Sequence, residues 1–126
     1  GYMTDLLADR AVQEIRMAAA AKTPFLLSLH FTAVHWPWQG PKSDPLPGSA
    51  DLWNYDGGSL EIFGEMMQSM DRAIGRVLAE LDRSGLAGNT LVVFTSDNGG
   101  ERFSDVWPLR GGKRDLLEGG IRVPLI

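Results

Sequence analysis

Twice along this chain a helical stretch is followed by a short apolar run that stops at a loop rich in glycine and proline. The first run is Phe25, Leu26, Leu27, Ser28, Leu29, His30 and Phe31, led by Pro24. The second is Thr90, Leu91, Val92, Val93, Phe94 and Thr95. Short runs with apolar side chains at both parities predict strands buried on both faces. Residues 121–126 predict the start of a third strand. Helices alternating with strands predict an α/β fold with parallel pairing and a right-handed crossover between the first two strands.

The helices are read from spacing and caps. Over residues 4–21, Leu7, Ala11, Ile15 and Ala18 recur at helical intervals, with Thr4 as the expected cap, Asp5 suited to the positive start, and Pro24 as the stop. Over residues 60–84, Phe63, Met66, Met67, Met70, Ile74, Val77, Leu78 and Leu81 form one apolar stripe, which reads as core, and Gly85 and Gly88 end it. Between these helices, residues 32–59 form a long irregular segment with Pro37, Pro41, Pro45 and Pro47 and with Trp36, Trp38 and Trp53. Loops this long within compact domains are often functional. The tryptophans either wall a substrate or anchor the loop, and anchoring is the preferred reading.

Composition removes several classes of function. The 126 residues suit one domain, and 44% hydrophobic with 22% charged residues is ordinary for a globular chain. Twelve basic against 16 acidic residues give a net charge of −4, which disfavours nucleic acid as a partner. No apolar run is long enough for a membrane span. No signal peptide is visible, which leaves localisation open. Without cysteine there is no disulfide, no thiolate-bound zinc and no thiol nucleophile.

In parallel sheets, ligands bind beyond the carboxyl ends of strands, so two loops become candidates. After the second run comes Ser96-Asp97-Asn98-Gly99-Gly100. Asp97 and Asn98 offer adjacent hard oxygens, suited to calcium or magnesium, although two ligands do not complete a site and the same residues make a good turn. After the first run comes His35, placed for anion contact or proton transfer, or else an ordinary surface histidine. His30 lies five residues earlier at odd spacing and reads as structural, which argues against a two-histidine metal pair. In Arg110-Gly111-Gly112-Lys113 a cation sits on a flexible glycine-rich backbone, able to meet an oxyanion or simply form a basic turn. Taken together, these residues suit hydrolysis of an anionic ester with a metal and cations neutralising charge, but they include no nucleophile.

Residues 27–41, 71–100 and 101–124 carry a family resemblance, in the motifs His35-Trp36-Pro37, Ser96-Asp97-Asn98-Gly99 and Gly112-Lys113 followed by Glu118-Gly119-Gly120-Ile121-Arg122-Val123-Pro124. They closely resemble the sulfatase family of the alkaline-phosphatase-like superfamily, and residues 2–15 resemble the family's helix at this point. The resemblance implies an α/β, partial alkaline-phosphatase-like fold of parallel strands with packed helices. It also implies hydrolysis of sulfate esters by a formylglycine nucleophile with a divalent metal, usually calcium. Asp97 and Asn98 match the metal ligands. His35 matches the histidine that contacts the sulfate, and Lys113 matches the lysine that binds it and helps protonate the leaving group. Arg122 matches an arginine read as structural. The implied partner is a sulfated small molecule or a sulfated sugar.

The departures from the family pattern are specific. No Cys/Ser-x-Pro-Ser-Arg motif occurs in this chain. Ser43-Asp44-Pro45-Leu46-Pro47 lacks the serine–arginine end and comes after the first run rather than before it, so it is rejected. The family's paired metal aspartates, the arginine, lysine and histidine that accompany formylglycine, and its C-terminal part have no counterpart here. The resemblance therefore implies that residues 1–126 are one partial sulfatase catalytic domain, inactive alone, whose exposed edge or apolar patch promotes self-association. The apolar ending Val123-Pro124-Leu125-Ile126 suggests a boundary within a larger domain. Two other readings are a phosphodiesterase or phosphonate hydrolase relative, disfavoured by Asn98, and a non-catalytic anion- or metal-binding module. Family members are often exported.

Overall fold

The computed structural model describes residues 1–44 and 57–126 and divides the chain into two compact units, Gly1–Thr90 and Leu91–Ile126. Trp53 and most of the rejected Ser43 motif lie outside the described residues.

Two helices packed against each other build the first unit: α1, Met3–Ala21, and α2, Leu60–Arg83. The core face of α1 is Thr4, Ala8, Ala11, Val12 and Ile15, spaced by three and four residues as one helix face requires. Thr4 therefore does not cap α1. The helix begins a residue earlier, and Thr4 is turned into the core. On α2 the buried residues are Met66, Ser69, Ala73, Glu80 and Leu81. Small side chains on both helices permit close approach of the backbones. The expected stripe on α2 is only partly buried, since Met67 and Leu78 are exposed.

Both ends of α2 follow from local chemistry. The Ser59 hydroxyl accepts from the Ile62 N–H at 3.1 Å, satisfying a donor that the helix itself cannot. At the other end Gly85 adopts φ +69°, and the Leu86 N–H returns to the Leu81 carbonyl at 2.9 Å. Only glycine takes that conformation without steric cost. Gly88 falls instead in a short 3-10 turn, Ala87–Asn89.

The expected α/β fold is not what the described residues form. They contain helices and one isolated antiparallel bridge, Thr95 with Leu125, and no sheet. Residues 25–31 make no ladder, and Leu26 is 96% exposed rather than buried. Residues 90–95 make one exchange, in which Phe94 and Ile126 donate to each other's carbonyls at 2.9 and 3.0 Å. The contact is antiparallel, not parallel, and the expected third strand shrinks to it. The physical reason is that β propensity describes fitness for a ladder, and a run becomes a strand only where another backbone completes its hydrogen bonds.

The second unit is held by its backbone. It contains one helical turn, α3, Glu118–Ile121, and is otherwise a set of turns.

Candidate functional site

Three Gly-Gly pairs, 99–100, 111–112 and 119–120, meet in the second unit. The Gly99 N–H donates to the Gly120 carbonyl at 2.9 Å, the Lys113 N–H to the Gly100 carbonyl at 2.7 Å, and the Gly119 N–H to the Arg110 carbonyl at 2.7 Å. A methyl group on Gly99 would run into the Gly119 carbonyl. One on Gly119 would meet the Gly111 carbonyl, and one on Gly120 the carbonyls of Gly112 and Asp115. Gly111 also has φ +79°, with the Asp115 side chain folded against it. The glycines are present because backbone lies directly on backbone. The expectation of a flexible glycine-rich loop is thus replaced by a closed knot.

This knot joins two of the candidate motifs. Asp97 and Asn98 precede Gly99 directly, and Lys113 is bonded to Gly100 through its own N–H. Asp97 is exposed and Asn98 half-buried. The Asn98 side-chain NH2 donates to the Gly99 carbonyl at 2.9 Å, which directs the amide oxygen Oδ1 away from that backbone. The Lys113 Nζ lies 3.1 Å from Glu101 Oε2, with the two side chains only 17% and 27% exposed. Arg122 pairs with Glu118 at 2.7 Å across α3.

His35 belongs to the first unit and lies in an exposed loop. Its Nδ1 is 2.7 Å from the Trp36 carbonyl oxygen. A carbonyl can only accept, so Nδ1 is the donor in this bond. Trp38 is buried, and Gly58, at φ +82°, packs against it so closely that a Cβ there would lie 2.7 Å from the Trp38 Cβ. Trp38 is thus packed against another residue of its own long loop. His30 is exposed, with Nε2 2.8 Å from the Ser28 hydroxyl. Ser43 is engaged with Gly40, whose N–H donates to its hydroxyl at 2.9 Å.

Among the described residues no three His, Asp or Glu side chains converge to hold a metal ion. Asp97 and Asn98 fit a hard divalent cation as two of the roughly six oxygens it needs, and no more.

The model of the family described as Sulfatase matches residues 1–126. The chain belongs to the sulfatase family. It is 40% identical to the steryl-sulfatase of Mus musculus over all of this chain and 20% of that protein. It is 31% identical to the N-acetylgalactosamine-6-sulfatase of Rattus norvegicus over 98% of this chain and 23% of that protein. The crystal structure of Ps i-CgsB superposes with a TM-score of 0.83 at 35% identity, covering 98% of this chain and 27% of the other. Ps i-CgsB has also been crystallised with k-i-k-neocarrahexaose. The chain thus spans about a fifth of the length of the sulfatases it matches. Family membership implies a metal ion. Sequence reasoning missed Glu101, which follows the motif glycines directly and carries no signal of its own. The Gly111-Gly112 pair, expected to be flexible, instead lies backbone on backbone, and the glycines at 99–100 and 119–120 close the same knot.

Proposed function

We propose that the intact protein carrying these residues hydrolyses sulfate esters, using calcium and a formylglycine that lies outside this chain. Residues 1–126 are then part of one catalytic domain and inactive alone. The observation that carries this reading is the backbone knot tying the Asp97–Asn98 turn to the Lys113 loop, in a chain that matches the sulfatase family along its whole length. It brings an oxygen-ligand pair and an ammonium onto one rigid frame.

Asp97 and Asn98 would hold the cation through side-chain oxygens. When bound, a divalent cation polarises the ester and offsets the charge that develops on its oxygens. Lys113 directs an ammonium at the sulfate and passes a proton to the leaving oxygen. His35, with Nδ1 already donating to Trp36, turns its other ring nitrogen, Nε2, to the sulfate. The sugar bound to Ps i-CgsB and the names of the relatives support a sulfated sugar or a small sulfate ester as substrate.

The test compares an aryl sulfate with an aryl phosphonate monoester on the intact protein. The sulfate should be preferred, and Asp97→Ala should lower its kcat/KM by about 10²–10³-fold, as loss of charge stabilisation does in other sites. Preference for the phosphonate would transfer the protein to the phosphonate hydrolase reading. No turnover of either ester, with tight calcium binding by calorimetry, would favour a binding module.

A further inference from the structure

We propose that Glu101 is a positioning residue for Lys113. It does not touch the substrate itself, but fixes the direction in which the ammonium points. The inference rests on the reading of Lys113 as the cation that meets the sulfate.

Lys113 is gripped at both ends by consecutive residues. Its backbone N–H donates to the Gly100 carbonyl at 2.7 Å, and its Nζ lies 3.1 Å from the Oε2 of Glu101, the next residue. The pair is long-range in sequence and mostly sheltered from water, with side chains 17% and 27% exposed. Another ion pair in this unit, Arg122 with Glu118, joins neighbouring turns of one short helix and is 64% and 54% exposed. An exposed i, i+4 pair adds little, whereas a sheltered pair across a knot restrains geometry.

The restraint matters because of what lysine is. Its ammonium ends a flexible four-carbon stem, and ordering that stem at the moment of reaction costs entropy. A carboxylate that holds the stem beforehand removes the cost, as preorganisation does generally. An ammonium has three donors. Glu101 takes one, which leaves two to face an anion on the other side. Glu101 also stands directly after the Asp97–Gly100 turn, so the residue that aims the cation moves with the turn that carries the metal ligands.

The experiment is a double-mutant cycle on the intact protein, read as kcat/KM for an aryl sulfate and as competitive inhibition by inorganic sulfate. Thermal melts check that each variant folds. Lys113→Ala should lower kcat/KM by about 10²-fold. Glu101→Gln, which keeps shape and loses charge, and Glu101→Ala should each lower it by about tenfold and weaken sulfate inhibition, the size expected for an outer partner. Glu101→Asp should recover part of the loss. On the Lys113→Ala background, Glu101→Ala should cost less than about twofold, because the group it serves is gone. Equal costs on both backgrounds would overturn the proposal while leaving Lys113 in its role. An unchanged rate for Lys113→Ala would instead remove the reading of Lys113, and this proposal with it. If Glu101→Ala does not fold, the near-isosteric Glu101→Gln closes the cycle.

Discussion

A lysine in the left-handed region, as Lys22 is at the end of α1 with φ 53° and ψ 38°, carries a steric cost that glycine avoids. The backbone imposes it: the Lys22 N–H returns to the Ala19 carbonyl and the Thr23 N–H to the Ala18 carbonyl, both at 3.2 Å. Lys22→Gly should therefore stabilise the first unit by roughly 0.5–1 kcal/mol after the glycine's extra unfolded-state entropy is counted, measurable as a higher urea midpoint. The glycines of the knot predict the opposite. Gly99→Ala or Gly119→Ala places a methyl group against a backbone carbonyl that cannot move aside. A loss of about 1–3 kcal/mol or more is expected, seen as faster proteolysis within residues 91–126 while the helices keep their circular dichroism. Equal protease resistance in the variant and the parent would show that the knot tolerates the methyl.

At the scale of elements, α1 and α2 are joined by a carboxylate that the apolar stripe did not foretell. Glu80 is 3% exposed. Its Oε2 accepts from Arg16 of α1 at 2.9 Å and from Arg83 at 2.7 Å, and its Oε1 accepts from the Ser84 hydroxyl at 3.2 Å. Hydrogen bonds from Arg16 and then Arg83 hold its carboxyl down to about 2, against a smaller opposing effect of burial. A folded-state value below the ordinary one means that the unfolded chain binds the proton more readily. The stabilisation is therefore complete above the ordinary carboxylate range and is lost as pH falls from about 4.5 toward 2. Glu80→Gln should lower the melting temperature at neutral pH, and the gap to the parent should close across that window. A gap that stays constant from pH 6 to pH 2 would deny the link. Arg76, which pairs with Asp9 and Asp5 of α1, is more exposed and should matter less.

For the molecule as a whole, the distribution of apolar surface sets its behaviour in solution. Leu26 in the first unit, and Leu91, Leu125 and Ile126 in the second, are between 77% and 96% exposed. Side chains of this kind together with unpaired backbone favour association with other chains. The 126-residue chain, studied by itself, should elute in light-scattering chromatography with a mass that rises with concentration. A constant monomeric mass would show that these side chains are covered in solution.

What the sequence determined is what neighbours in the chain can decide. The two long helices and the Gly85 stop are near-neighbour effects, legible from spacing and from residues a few positions apart, whereas the cap expected at Thr4 gave way to its burial in the core. The motifs around His35, Asp97, Asn98 and Lys113 were legible in the same way, since each is a short run of fixed chemistry that places the chain in the sulfatase family. Tertiary structure alone decided the rest. The α/β expectation failed because residues 25–31 and 90–95 carry β propensity, while a strand depends on a second backbone that propensity does not specify. Glu101 was invisible because its meaning lies in one contact, 3.1 Å from a lysine twelve positions later. The flexibility expected at Gly111 and Gly112 gives way to close contact, because glycine permits both. Which of the two it provides depends on whether another carbonyl already occupies the space a Cβ would fill, and only the folded chain settles that.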